Sequence, residues 1–135
     1  MTLFEWDPKY SVKVKEIDEQ HNQYLKIVKK LSESLGKENS KDVTTQILNE
    51  LTDFANYHFS TEEKYFKKFN YEDAENHIKE HRNFAEKIDF IKKKHINGQE
   101  EVSFELIDYL EDWLLEHLAD YDQKYSKCFN EHGLF

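Results

Sequence analysis

Residues that break helices are scarce in this chain, and that scarcity narrows the folds open to it. Only three glycines and one proline occur among 135 residues. An all-β domain needs a turn roughly every ten residues and would use more of both residue types. Long helices joined by few turns therefore fit this chain better than a sheet, and its length is that of one domain.

Hydrophobic periodicity divides the chain into an arm, four helices and a tail. Apolar residues recur at alternating spacings of three and four residues between positions 17 and 122, which is the period of an amphipathic helix. This region predicts an all-α, up-down-up-down antiparallel four-helix bundle. We expect residues 1–16 to form an extended N-terminal arm, residues 123–135 a tail with a short helix, and residues 1–135 a single domain.

Histidine is the second unusual feature, with seven residues against one cysteine. Five of the histidines fall on apolar seams of the predicted helices, namely His21, His58, His77, His81 and His117. The topology places all of them at the same end of the bundle. Each buried neutral imidazole has one hydrogen-bond donor and one acceptor that need partners away from water. Five such rings in one layer therefore indicate a metal site. The other two, His95 and His132, are expected at the surface.

Carboxylates complete the predicted site. His58 and Glu62, like His77 and His81, are four residues apart and so share a helix face. A single zinc ion would leave some imidazoles unused, so two ions are expected. A bridging carboxylate near His117 is then needed. Two aspartates are candidates. Asp120 fits an ideal helix and Asp122 requires a distorted last turn, so geometry leaves both open.

The combined motif resembles the hemerythrin family, in particular the single-domain bacterial hemerythrins. The matching segments are Ile17-Asp18-Glu19-Gln20-His21, His58-Phe59-Ser60-Thr61-Glu62-Glu63, His77-x-x-x-His81 and His117-x-x-x-x-Asp122. The resemblance implies a non-haem di-iron centre that binds O₂ reversibly. It implies further that one iron is bound by His77, His81 and His117 and the other by His21 and His58. By the same resemblance, Glu62, Asp122 and an oxo or hydroxo group bridge the irons.

An apolar O₂ pocket is expected beside the irons. Trp113 and Leu114 match the pocket-lining pair of the family, Leu25 lies one turn from His21, and Phe59 follows His58. All four are also compatible with ordinary core packing. With this pocket the resemblance implies oxygen carriage, storage or scavenging, and no enzymatic activity.

Three alternatives remain open at this point. The segment His77-Ile78-Lys79-Glu80-His81 also has the form H-x-x-E-H, which would make Glu80 the general base of a zinc hydrolase. That hypothesis ignores the other three seam histidines. An O₂ or redox sensor and a di-iron oxidase would both use the same seven ligands.

Charge and hydropathy exclude other classes of partner. The net charge of −9 disfavours binding to nucleic acid. The longest apolar run, Trp113-Leu114-Leu115, is far too short to cross a bilayer, and no signal peptide is visible. We expect a cytoplasmic monomer that binds O₂ and passes it to an unidentified protein recipient.

Overall fold

The computed structural model describes residues 6–35, 40–98 and 104–135. The four main helices are α1 (Lys15–Ser34), α2 (Ser40–Lys68), α3 (Ala74–Ile96) and α4 (Phe104–His117). A π-helical segment, Leu118–Asp122, joins α4 without a break to α5 (Gln123–Glu131), and a 3-10 turn (Pro8–Tyr10) precedes α1. These ranges contain no strand, which confirms the all-α prediction. The sequence predicts Gly36 as the C-cap of the first helix and Ser103 as the N-cap of the fourth, and both residues lie outside the described ranges.

Neighbouring helices follow the order of the chain. Helix α1 packs against α2 and α4, and α2 packs against α3. Helices α3 and α4 are also in contact, because the aromatic rings of Phe84 and Trp113 pack together with centroids 4.1 Å apart. Sequential neighbours joined by short connections give the predicted up-down-up-down bundle. No helix in the described ranges combines the length and apolarity needed to span a membrane.

The arm and α5 are packed together across one end of the bundle. Ser126 Oγ donates a hydrogen bond to the Val12 carbonyl at 2.6 Å, and Asn130 Nδ2 donates one to the Lys13 carbonyl at 3.0 Å. Val12 and Val14 are fully buried on either side of Lys13, whose φ of 61° turns the backbone between them. The tail is therefore mostly helical, and α5 is hydrogen-bonded to the arm.

The prediction that His95 lies at the surface is wrong. His95 is buried, and its Nε2 lies 3.3 Å from the carbonyl oxygen of Lys41 in the first turn of α2. Three lysines precede His95 in the sequence, and such a run is typical of a solvated helix end. The last turn of α3 instead packs one side against α2 while the lysines stay at least partly exposed. His132 is exposed, as predicted.

Replacing Phe66 with alanine is expected to destabilise the bundle by about 3–5 kcal/mol, the usual cost of removing a buried phenylalanine ring. Phe66 is buried against Tyr125, Phe129 and the ring of His77, at centroid distances of 5.7, 5.9 and 4.8 Å. Phe135→Ala is the matched control, because that ring is 73% exposed and its loss should cost less than about 0.5 kcal/mol. Urea unfolding of both variants measures the difference. Similar losses in the two would contradict this packing.

Candidate metal centre

Side chains from every main helix converge at one end of the bundle. Helix α1 supplies His21 near its start, and α2 supplies His58 and Glu62 near its end. The remaining residues are His77 and His81 from the start of α3, His117 from the end of α4, and Asp122 from the end of the π-helical segment. All seven are buried.

The seven residues form two overlapping groups. The three-histidine group contains Glu62, His77, His81 and His117, and the two-histidine group contains His21, His58, Glu62 and Asp122. Within each group the potential ligand atoms lie within 4.8 Å of one another. Because Glu62 belongs to both, the groups are neighbouring parts of one cluster. All seven residues that the family resemblance implies as ligands lie in this cluster.

Asp122 also contacts both groups. Its Oδ2 lies 2.9 Å from Nε2 of His21, and its Oδ1 lies 2.9 Å from Nε2 of His77 and of His117. In a regular α-helix Asp122 would point about 140° away from His117. The π turn between these two residues is wider and brings the carboxylate back toward the cluster. Asp120, the other candidate, is exposed.

Buried negative charge dominates the electrostatics. Burial raises the pKa of both the Glu62 and Asp122 carboxyl groups, and the charge of Asp122 raises that of Glu62 further. The adjacent imidazoles nevertheless hold the pKa of both carboxyl groups well below the usual range. Burial lowers the pKa of His81, but the adjacent carboxylates of Glu62 and Glu63 raise it to about 9. Two carboxylates fixed inside the bundle thus require positive charge beside them.

Polar atoms without hydrogen bonds show that the cluster suits metal ions. Both oxygens of Glu62, both oxygens of Asp122 and Nε2 of His21 are buried without a hydrogen-bond partner. Nε2 of His21 is only 2.9 Å from Asp122 Oδ2, but the two atoms are not aligned for a hydrogen bond. A nitrogen and an oxygen that lie close together without hydrogen-bond alignment are expected where the lone pairs of both are directed at a shared ion. Imidazole and carboxylate together suit iron and other first-row transition metals.

Apolar side chains cover part of the cluster. The ring of Phe59 stacks on His81 at a centroid distance of 4.0 Å, and Trp113 stacks on His117 at 4.4 Å. Phe59 and Trp113 also meet edge to face, with centroids 5.9 Å apart. Leu25 and Leu114, the other expected pocket residues, are buried in the adjoining core.

Three residues at the cluster were missed by sequence analysis. Gln20 and Glu63 contact the outer nitrogens of two cluster histidines. Tyr125 of α5 is fully buried, and its ring stacks on His77 with centroids 5.6 Å apart. Tyr24 donates a hydrogen bond to the Leu110 carbonyl at 2.9 Å.

Glu80 does not join the cluster. It belongs to neither metal-binding group and lines a polar groove on the outside of the bundle with Asp120 and Tyr121. A general base for metal-bound water has to lie within hydrogen-bond reach of the site. The zinc-hydrolase alternative therefore gains no support from the position of Glu80.

Comparison with known proteins relates this fold and cluster to one family. Residues 12–128 match the family described as "Hemerythrin HHE cation binding domain". The chain is 29% identical over 127 residues to bacteriohemerythrin of Clostridium acetobutylicum, covering 91% of this chain and 98% of that protein. It is 30% identical over 123 residues to myohemerythrin of Theromyzon tessulatum, covering 91% of each.

Structural comparison agrees with the sequence matches. A crystal structure of wild-type hemerythrin superposes with a TM-score of 0.89 at 27% identity, covering 94% of this chain and 98% of that one. The family match begins at Val12 and ends within α5, so it includes every residue of the cluster. The chain belongs to the hemerythrin family.

Proposed function

We propose that this chain binds O₂ reversibly at a pair of iron ions and so carries, stores or scavenges oxygen. The observation that carries the proposal is the cluster itself, in which five buried imidazoles and two buried carboxylates form two groups sharing Glu62. Membership of the hemerythrin family supports iron as the metal and O₂ as the ligand. The proposed role is binding without enzymatic turnover.

Each cluster residue has an assigned role in this proposal. His77, His81 and His117 hold one iron, and His21 and His58 hold the other. Glu62 and Asp122 bridge the two ions. The contacts of Asp122 with His21 on one side and with His77 and His117 on the other support its bridging position.

The unequal number of imidazoles leaves room for a ligand. Five imidazoles and two carboxylates that each reach both ions would fill about nine of the roughly twelve positions on two six-coordinate ions. The two-histidine group would supply fewer ligands than the three-histidine group, so O₂ would bind on its side. When bound, a pair of ferrous ions supplies the electrons that reversible O₂ binding requires.

Around that centre, the side chains of this protein keep water out. Phe59 and Trp113 cover the imidazoles of His81 and His117, and the buried Leu25 and Leu114 extend the apolar surroundings. A site without water favours release of O₂ over its irreversible reduction, because proton delivery from solvent is restricted.

Metal content and gas uptake test the proposal together. Protein reconstituted with ferrous iron is expected to retain about two irons per chain and to take up about one O₂ for each pair, measured with an oxygen electrode. Metal-free protein provides the blank. Retention of about one zinc and no iron would support the hydrolase alternative instead.

Replacing Phe59 with alanine is expected to shorten the lifetime of the oxygenated protein severalfold, because the vacated volume lets water reach the centre. Phe59→Leu keeps most of the apolar volume and should lie close to the unsubstituted protein. Decay of the visible absorption band in air measures both lifetimes. Equal lifetimes for the unsubstituted protein and both variants would show that Phe59 does not protect the site.

A further inference from the structure

Two cluster histidines have hydrogen-bond partners at Nδ1, the ring nitrogen that faces away from the cluster. Nδ1 of His81 lies 3.0 Å from Oε2 of Glu63, and Nδ1 of His58 lies 2.7 Å from Oε1 of Gln20. The Nδ1 atoms of the remaining three, His21, His77 and His117, have no hydrogen-bond partner among the described residues. Each metal-binding group therefore contains one histidine with an outer partner, and the two partners differ in charge.

The orientation of the Gln20 amide follows from a chain of hydrogen bonds. The Thr61 hydroxyl donates to the Tyr57 carbonyl at 3.1 Å, so its oxygen is free to accept from Gln20 Nε2 at 3.3 Å. That contact turns the amide oxygen toward His58. Since an amide oxygen only accepts, Nδ1 of His58 carries the proton and Nε2 keeps its lone pair for an ion.

Glu63 fixes the second ring in the same way. A carboxylate only accepts, so Nδ1 of His81 donates to Glu63 and Nε2 of His81 faces the cluster. That Nε2 lies 3.1 Å from Oε1 of Glu62, without a hydrogen bond to it. Gln20 and Glu63 thus set the same nitrogen toward the centre in both groups.

We propose that Glu63 and Gln20 are positioning residues that make the two metal positions unequal. A carboxylate that accepts the Nδ1 hydrogen bond makes Nε2 of the same imidazole a stronger metal ligand. A neutral amide in that position has a smaller effect. Glu63 therefore strengthens binding in the three-histidine group, and Gln20 leaves the two-histidine group weaker. The Glu63 side chain is 36% exposed, so solvent screens part of this effect without removing it. This inference rests on the proposed metal centre.

Stepwise metal affinities test the inference. Metal-free protein is titrated with Co²⁺ against a chelator, and absorption in the visible range follows occupancy. We expect two unequal steps. Glu63→Gln keeps an accepting oxygen and removes the charge, so it should weaken the tighter step about 10–100-fold and leave the weaker step nearly unchanged. Gln20→Glu should tighten the weaker step, and the double exchange should reduce or invert the ratio of the two affinities.

Glu86→Gln is the matched control, because it removes one exposed carboxylate from α3 and should leave both affinities unchanged. The ratio of affinities separates positioning from a merely structural role, which would weaken both steps in parallel. Parallel weakening in Glu63→Gln, or no change in the weaker step of Gln20→Glu, would overturn the inference. If one of the variants Glu63→Gln and Gln20→Glu does not fold, the affinities of the other are sufficient to test the inference. Failure of the unsubstituted protein to bind two Co²⁺ ions would count against the proposed function instead.

Discussion

Removal of the metal is expected to lower the melting temperature of the protein by more than about 20 °C. A ligand at about a thousandfold excess over its Kd stabilises the folded state by about 4 kcal/mol, so two ions contribute about 8 kcal/mol. In a chain of this size 1 kcal/mol corresponds to about 3–5 °C. The expected change is large because the ions bind only where the fold brings their ligands together.

The structural reason for this effect is the burial of charge and lone pairs. Glu62 and Asp122 are completely buried, and neither carboxylate has an aligned hydrogen-bond partner among the described residues. Without metal, protons on the imidazoles must balance these charges, as the raised pKa of His81 indicates. Calorimetry before chelation, after chelation and after return of ferrous iron measures the change. An unaltered melting temperature in the chelated protein would mean that these residues do not share a stabilising metal.

Asp122→Asn is expected to reduce metal content from about two ions to less than one per chain, with affinity falling by more than about 100-fold. This exceeds the loss typical of residues outside the ligand sphere, because Asp122 contacts histidines of both groups. Asparagine retains the size of the side chain and removes its charge, so the change acts on binding more than on packing. Metal analysis after reconstitution and dialysis provides the measurement.

Asp120→Asn is the matched control for that substitution. Asp120 lies in the same π-helical segment, carries the same charge and is exposed. Its replacement should leave about two ions bound. Loss of metal from Asp120→Asn and retention by Asp122→Asn would reverse the assignment of the bridging carboxylate.

The helices were predictable from sequence because one period persists through each of them. Ile17, Val28 and Leu31 of α1 are all buried, as the alternating spacing requires. The same spacing located the five cluster histidines, since polar residues on an apolar seam must face the core. The prediction depended only on helix geometry and on antiparallel order, and both are local consequences of the sequence.

Helix geometry alone could not identify Asp122 as a cluster residue. An ideal helix favours Asp120, and nothing in the spacing of apolar residues signals a π turn after His117. The family resemblance selected Asp122 where helix geometry could not. The structure brings Asp122 into the cluster because the wider turn changes the direction of one side chain without interrupting the helix.

Residues around the ligands were less accessible to prediction. Gln20 lies three residues after Ile17 and four before Tyr24, so it occupies the seam, and this spacing could have identified it. Glu63 gave no such signal, because it lies beside the seam and reaches His81 on a neighbouring helix. Tyr125 was overlooked because its segment was treated as a tail, whereas α5 packs the ring against His77.

Repeated exposure of the reduced, iron-loaded protein to air and then argon tests reversible O₂ binding most directly. Reversible binding predicts a visible absorption band that appears in air, disappears under argon and returns with nearly the same amplitude over several cycles. Irreversible oxidation in the first cycle, with no recovery under argon, would contradict oxygen carriage or storage and favour an oxidase or a sensor.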